Sequence, residues 1–199
     1  MKYTDDVISS YCGSLIGSSS IDAFSIVGEA TGPFTSPDQA REFQQKAWSK
    51  SDGKAQQAIF LGDLCASTDE AVLKANRITH IVNMCDKCPN KFPKLRYFTL
   101  LVPSEEEGFP EEPSQMILDN MPSILRFIGD AVSEGGNVLI HSTRGASRSF
   151  FAAAAYLMKT HHWSAKEASL HLMSIRTSVE PTDAVKNSLQ TFEVSLMKP

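Results

Sequence analysis

The architecture of this chain is set by residues 138–149, which read Val138-Leu139-Ile140-His141-Ser142-Thr143-Arg144-Gly145-Ala146-Ser147-Arg148-Ser149. The three apolar residues at the start predict a strand that is buried at the centre of a covered sheet. Gly145 allows the backbone to turn tightly and to approach a ligand closely. A helix is predicted to begin near Ala146, so we expect this segment to fold as a strand, a short loop and a helix.

The loop in this segment has the chemistry of an anion site. Successive backbone N–H groups in a tight loop can form a concave nest for an anion, and the positive end of the following helix would point at the same place. The planar guanidinium of Arg148 matches the geometry of phosphate oxygens. The sequence therefore predicts a phosphate-binding loop formed by Ser142, Thr143, Arg144, Gly145, Ala146, Ser147 and Arg148.

Apolar strands and amphipathic helices alternate around this loop. Strands are predicted at 58–61, 80–84, 97–102 and 138–140, and helices at 67–76, 113–133, 146–158, 164–174 and 183–196. The patterns that start at Ser67 and Ser164 are typical of the capping box at the beginning of a helix. The alternation predicts an α/β fold with a mostly parallel central sheet and helices on both faces.

Residues 1–56 differ in composition from the rest of the chain. They contain a Ser/Gly cluster at 13–20 and a polar run at 49–54, which are patterns typical of loops. The apolar run at 23–27 can still pack on a neighbouring domain. We therefore predict a loop-rich N-terminal extension over 1–56 and an α/β domain over 57–199.

Composition and charge argue against several classes of protein. The net charge of −4 argues against nucleic acid as a partner. No run approaches the ~20 apolar residues of a membrane span, and the N-terminus lacks a signal-peptide pattern. The four cysteines do not have the pattern of a disulfide framework, so a cytoplasmic or nuclear protein is expected. Because Cys85 and Cys88 form a single C-x-x-C pair, we expect no metal and no cofactor.

The loop resembles the H-C-x5-R-[S/T] signature of the protein tyrosine phosphatases, written here as His141-Ser142-x5-Arg148-Ser149. Over about residues 57–196 the chain is most similar to the dual-specificity members of that family. The similarity is carried at the family's spacing by segments 59–62, 78–83, 127–128, 135–138 and 154–158 and by Pro181, Leu189, Phe192 and Glu193. The resemblance implies the protein tyrosine phosphatase-like fold.

The resemblance also implies a role for individual loop residues. In the family, the position of Ser142 is a cysteine whose thiolate attacks phosphorus. His141 orients the loop without acting as a base, and Ser149 helps the cysteine to leave the phospho-intermediate. Because a serine hydroxyl does not ionise usefully near neutral pH, Ser142 implies that phosphate is bound and not cleaved.

The general acid is a second departure from the family. The family places an Asp on a loop before the nucleophile to protonate the leaving oxygen, and residues 102–112 contain no Asp. Counting back from the phosphate loop leads to Glu111, and counting forward from the preceding strand leads to Glu106. Either Glu is a candidate acid, and a solvated acidic loop is the alternative.

Several functions remain open at this point. The chain is either a natural pseudophosphatase, like the STYX-type members, or an active dual-specificity phosphatase with an engineered Cys-to-Ser change at Ser142. A third alternative is an interaction module with a vestigial pocket. The expected partner is a phosphoprotein or phosphopeptide with phosphotyrosine or phosphothreonine, and a kinase is one candidate. Arg144 either attracts an acidic phosphopeptide or is solvated. Arg176 could reach the rim of the pocket, but a solvated arginine is the preferred prediction.

Overall fold

The computed structural model describes residues 21–26, 38–39, 42, 57–86, 88–102, 115–177 and 179–197. Its five strands are β1 (Ile21–Ile26), β2 (Ala58–Gly62), β3 (Ile78–Asn83), β4 (Arg96–Thr99) and β5 (Asn137–His141). The helices that we number here are α1 (Leu64–Thr68), α2 (Glu70–Ala75), α3 (Gln115–Ser133), α4 (Arg148–His161), α5 (Ala165–Ile175) and α6 (Asp183–Leu196).

The strands form one sheet in the order β1-β2-β5-β3-β4. The pairs β2–β5, β3–β5 and β3–β4 are parallel, whereas β1 pairs antiparallel with β2 at one edge. This arrangement confirms the predicted α/β fold with a mostly parallel sheet. The strand β1 was not predicted, and it lies in the segment 1–56, where the sequence suggested only an apolar run that could pack on a neighbour.

The side chains of the sheet alternate between two apolar clusters. On one face, Ile59, Val82 and Ile140 pack with the apolar residues of α3, α4, α5 and α6 in the larger cluster. On the other face, Phe60, Ile81 and Leu139 pack with α2 in a smaller cluster. All residues of β2 and β5 are buried. Because both faces of β5 are covered, its carboxyl end is held rigidly for the loop that follows.

The segment after β2 corrects one predicted helix. Instead of one helix at 67–76 that begins at Ser67, two short helices are present, and Ser67 lies inside the first. The side chain of Asp63 accepts from the amide of Ala66, and that of Asp69 accepts from the amides of Ala71 and Val72. Aspartate caps the orphan amides of a helix start as well as serine does, so these two residues set the boundaries.

The helices after the loop agree more closely with the sequence. The helix α6 has the predicted bounds, and α5 begins with the predicted capping box of Ser164 and Glu167. The helix α4 begins two residues later than predicted, at Arg148, and ends three residues later, at His161. In the part of the chain that the structure describes, no helix is long and apolar enough to cross a membrane.

Candidate functional site

The predicted phosphate-binding loop lies at the carboxyl edge of the parallel sheet. Its first residue follows His141, which is paired with Gly62 of β2 on one side and with Asn83 of β3 on the other. Ligands in open α/β sheets bind outside the carboxyl ends of the strands. The N-terminus of α4 begins at the end of the loop, so its positive dipole end lies at the same edge.

Two neighbouring segments hold the carbonyl groups at the start of the loop. The amide of Met84, just after β3, donates to the carbonyl of His141 at 3.0 Å. The amide of Leu64, at the start of α1, donates to the carbonyl of Thr143 at 3.2 Å. Both donors belong to segments beside the loop, so these carbonyls turn towards the flanks. This orientation is the one that an anion site formed by backbone amides requires.

Gly145 makes the tightest turn of the loop. Its φ is 68°, a conformation that glycine adopts without strain. A Cβ at this position would lie 2.7 Å from the carbonyl oxygen of Gly62, so the loop packs directly against the end of β2. The predicted role of Gly145 in a tight turn therefore has a clear physical basis, both in φ and in the space available.

Ser142 lies at the bottom of the loop, with 2% of its surface exposed. Its Oγ is 2.9 Å from the Oγ of Ser149, the first-turn hydroxyl of α4. A hydroxyl partner can share a hydrogen bond with Ser142, but it cannot remove the proton as a general base would. The contact therefore orders the Ser142 side chain without activating it.

The guanidinium of Arg148 connects three segments at this edge. Its Nη1 donates to the carbonyl oxygens of Met84 at 3.0 Å and of Val102 at 2.6 Å, and its Nη2 donates to the Oγ1 of Thr143 at 2.9 Å. A guanidinium has more N–H donors than these three contacts use. Among the described residues the N–H at Nε has no hydrogen-bond partner, so it is the candidate donor to an anion.

Two contacts in the loop had no counterpart in the sequence analysis. The hydroxyl of Thr143 contacts both the Arg148 guanidinium and the Sγ of Cys85, which is 3.5 Å away. The backbone carbonyls of Met84 and Val102 fix the arginine, and no side-chain pattern signals a carbonyl contact. Thr143 was predicted as a residue of the phosphate-binding loop, but its contacts with Arg148 and Cys85 were not predicted.

His141 is buried directly before Ser142. Burial, with a smaller effect of the positive charge on Arg148, lowers the pKa of its imidazole from 6.5 to about 3. A base with so low a pKa holds a proton poorly near neutral pH. His141 is therefore neutral when the protein functions, and it is unsuited to take the proton of Ser142.

The pKa of His141 predicts how stability depends on pH. Because the folded state has the lower pKa, the unfolded chain binds more protons between pH 6.5 and about 3, and stability falls as the pH falls through that range. We expect the free energy of unfolding to decrease by about 2 kcal/mol from this residue between pH 7 and pH 5. Urea unfolding of the native chain and of His141→Gln at both pH values measures this contribution.

The matched control is His162→Asn, since His162 is exposed beyond the end of α4. We expect this control to keep nearly all of the pH dependence, because the charge of His162 is only the smaller of the two causes that lower the pKa of His161. The His141→Gln variant should keep only the remainder from other histidines, such as the buried His80 and the half-buried His161, whose pKa values are also lowered by burial. An identical pH dependence in the native chain and His141→Gln would contradict the assignment of a neutral, buried His141.

The other predicted site residues are placed as follows. Arg144 is exposed at the loop, and Ala146 and Ser147 are half-buried. Glu106 and Glu111, the two candidates for the general acid, lie outside the described residues, and their roles stay predictions. Within the described residues, no group of three or more His, Cys, Asp or Glu side chains could hold a metal ion.

The described cysteines include both free thiols and a disulfide-bonded residue. Cys85 and Cys88 are buried free thiols. Burial, and to a lesser extent the neighbouring Cys85, raises the pKa of the Cys88 thiol to about 12, so this thiol is unreactive. Cys65 of α1 is disulfide-bonded, which differs from the expectation that the cysteines have no disulfide pattern.

The prediction that Arg176 is solvated was wrong. Its side chain is buried, with 5% of the residue exposed, and its Nη2 lies 3.8 Å from the Oδ2 of Asp63 and 3.4 Å from the carbonyl oxygen of Arg144. The carboxylate of Asp63 makes this burial possible because it supplies an opposite charge. Sequence reasoning did not select Asp63, although a polar residue just after a parallel strand lies at the edge where ligands bind.

The sequence and the fold are similar to those of known proteins. The family model described as the dual specificity phosphatase catalytic domain matches residues 59–195. Dual specificity protein phosphatase 1 of Arabidopsis thaliana is 30% identical over 141 residues, which are 71% of this chain and 68% of that protein. The chain therefore belongs to the dual-specificity phosphatase family.

Two further relatives define the similarity. Protein phosphatase Slingshot homolog 3 of Mus musculus is 32% identical over 136 residues, or 68% of this chain, and the chain spans only about a fifth (20%) of that protein. The crystal structure of the human tyrosine phosphatase-like serine/threonine/tyrosine-interacting protein matches with a TM-score of 0.62 and 25% identity. That match covers 70% of this chain and 93% of the solved chain.

Proposed function

We propose that this chain is a pseudophosphatase that binds phosphotyrosine or phosphothreonine segments and does not cleave them. The observation that carries the proposal is the pairing of Ser142 with the hydroxyl of Ser149, with no general base on Ser142 among the described residues. In such a protein the loop acts as a competitor for, or an anchor of, a phosphorylated partner.

The absence of turnover follows from the chemistry of Ser142. An ordinary cysteine thiol has a pKa only slightly above neutral, so loop amides and an adjacent arginine can lower it enough to give a thiolate at neutral pH. A hydroxyl begins from a far higher pKa and needs a base to remove its proton. The neutral His141 has too low a pKa for this task. Ser142 therefore holds its proton and does not attack phosphorus.

The retention of binding follows from the rest of the loop. The backbone and Arg148 do not depend on the identity of the side chain at Ser142. Charge-assisted hydrogen bonds between a guanidinium and phosphate oxygens are roughly twice as strong as neutral ones. A neutral serine also adds no negative charge at the base of the loop, so a phosphate dianion meets no repulsion there.

The partner in this proposal is a phosphoprotein, and a kinase with a phosphorylated activation segment is one candidate. The similarity to the human protein described as tyrosine phosphatase-like and interacting is in keeping with a binding role. We also propose a cytoplasmic or nuclear location, although the disulfide of Cys65 argues against a reducing compartment. Residues 1–56 are proposed as an extension of the phosphatase-like domain.

The alternative function is an active dual-specificity phosphatase in which position 142 is natively cysteine. One observation favours it: the contacts of Arg148 and the Ser149 hydroxyl keep the arrangement that a phosphocysteine mechanism would use. The codon at position 142 in the natural gene distinguishes the two, because a serine codon supports the pseudophosphatase and a cysteine codon supports the enzyme.

Isothermal titration calorimetry with a phosphotyrosine peptide and with its unphosphorylated form tests the proposal. We expect the phosphorylated peptide to bind at least about tenfold more tightly, which is ~1.4 kcal/mol of binding free energy. Inorganic phosphate should compete with it. Equal affinity for both peptides would contradict the proposal, and it would favour an interaction module whose phosphate loop is vestigial.

A further inference from the structure

The guanidinium of Arg176 packs against the phosphate loop at Arg144 and Gly145. Arg176 follows α5 directly, and its backbone is fixed from both directions: its amide donates to the carbonyl of Leu172 at 2.9 Å, and its carbonyl accepts from Val179 at 3.0 Å. Only 5% of the residue is exposed. A backbone held in this way restricts where the guanidinium can reach.

The carboxylate of Asp63 links Arg176 to the start of α1. Its Oδ1 accepts from the amide of Ala66 at 2.8 Å, and its Oδ2 faces the Nη2 of Arg176 at 3.8 Å. The next residue, Leu64, donates its amide to the carbonyl of Thr143 in the loop. The two residues that follow β2 therefore contact both sides of this arrangement: Leu64 contacts the loop, and Asp63 contacts Arg176.

Arg176 also contacts the loop itself. Its Nη2 is 3.4 Å from the carbonyl oxygen of Arg144, and a Cβ on Gly145 would lie 2.9 Å from the same nitrogen. On its other side, Gly145 packs against the carbonyl of Gly62. The consecutive carbonyls of Thr143 and Arg144 are therefore directed outwards, by Leu64 and by Arg176 respectively. Reorientation of these peptides would turn their amides away from the anion position.

Charge adds to this geometry. A guanidinium remains protonated at any physiological pH, so Arg176 places a buried positive charge next to the loop. A cation close to an anion site increases the affinity of that site, and it favours the ionised form of an acidic group there. The charge is retained in the interior because Asp63 faces it, and an unpartnered buried charge would be strongly destabilising.

We propose that Arg176, with Asp63 as its counter-ion, is a positioning residue that sets the conformation and the anion affinity of the phosphate loop. The inference rests on the proposed function of this loop in phosphate binding. It assigns to Arg176 no contact with the ligand. Arg176 acts through the carbonyl of Arg144 and the close contact at Gly145.

The first readout is the pKa of a thiol placed in the loop. In the Ser142→Cys background, the rate of iodoacetamide alkylation of the introduced thiol, followed by mass spectrometry as a function of pH, gives this pKa. We expect Arg176→Gln to raise the thiol pKa by about one unit or more, because the amides lose alignment and a positive charge is removed. Arg176→Lys, which keeps the charge, should restore part of the shift.

The second readout is the affinity for a phosphotyrosine peptide in the native Ser142 background. We expect Arg176→Gln to weaken binding by about tenfold or more and Arg176→Lys by less, on the scale of one charge-assisted contact. Asp63→Asn keeps an acceptor for Ala66 and removes the counter-charge, so it tests the pair where Arg176→Gln fails to fold. The matched control is Arg96→Gln, which removes a cation from the opposite edge of the sheet, at the start of β4.

The outcomes separate this inference from the proposed function. If the native chain binds no phosphopeptide, the proposed function fails, and the thiol pKa still tests the positioning role. A raised pKa and weaker binding in Arg176→Gln, with Arg96→Gln unchanged, support the inference. If the Arg176 and Asp63 variants only lower the melting temperature and leave the pKa and affinity unchanged, Arg176 is a purely structural residue and the inference is overturned.

Discussion

Ser142→Cys is expected to convert a chain without measurable hydrolysis into one that hydrolyses p-nitrophenyl phosphate steadily. The amides of the loop, the N-terminus of α4 and Arg148 would lower the pKa of the introduced thiol, and the thiolate is the nucleophile. We expect a gain on the order of a hundredfold or more over the native chain, equivalent to about 2.7 kcal/mol of activation free energy. Initial rates of p-nitrophenolate release at neutral pH measure it.

The choice of substrate separates the nucleophile from the general acid. Nitrophenolate leaves without protonation, so formation of the phosphocysteine from this ester does not require Glu106 or Glu111 to act as an acid. With a poorer leaving group the acid becomes necessary. In the Ser142→Cys background, Glu106→Gln and Glu111→Gln should then differ, and the variant that loses more activity identifies the acid.

The matched control for the added thiol is Ser133→Cys, a substitution of the same type at the end of α3. We expect this variant to remain inactive, because its thiol has no anion-binding loop around it. Clear hydrolysis by the native Ser142 chain would contradict the account of the serine hydroxyl. If the Ser142→Cys variant folds but shows no measurable hydrolysis, the loop does not stabilise a thiolate.

Arg148→Lys is expected to have the largest effect on binding. Lysine keeps the charge, but it cannot present a planar fork to two phosphate oxygens. It also loses the simultaneous contacts to Met84, Val102 and Thr143 that fix the guanidinium. Since hydrogen bonds to charged groups contribute ~1.5–3 kcal/mol each, the affinity for a phosphotyrosine peptide should fall by roughly 10- to 100-fold.

Calorimetric titration of the native chain, Arg148→Lys and Arg148→Ala with one phosphopeptide measures this loss. The matched control is Arg126→Lys, because Arg126 is exposed on α3. Its affinity should equal that of the native chain. Unchanged phosphopeptide binding in Arg148→Ala would contradict the assignment of residues 142–148 as a phosphate-binding loop. It would favour the alternative of an interaction module, in which the pocket plays no part.

The sequence predicted those features of the fold that depend on local patterns. The apolar run at the start of the loop segment gave the position of β5, and the capping residue Ser164 gave the start of α5. The strand β1 could not be predicted in the same way. Its pairing with β2 is antiparallel and joins segments more than thirty residues apart, so the local sequence carries only its apolar character.

In the candidate site too, the sequence predicted only the features that depend on local patterns. The order of residues in the loop predicts an anion cradle, since glycine, arginine and a following helix are local features. The burial of Arg176 depends on Asp63, which is distant in the sequence and close in the fold. Contacts to the carbonyls of Met84 and Val102 leave no mark on side-chain patterns. The contacts that position the loop could therefore not be predicted from the sequence.

The central claim is that the chain holds a phosphate group and does not cleave it. Phosphorus NMR of the native chain with a phosphotyrosine peptide follows both processes in one sample. The account predicts a shifted or broadened phosphopeptide resonance with no growth of a free phosphate signal over many hours, and inorganic phosphate that is added only at the end should displace the peptide. Steady growth of that signal, absent when Arg148→Lys replaces the native chain, would contradict the claim directly.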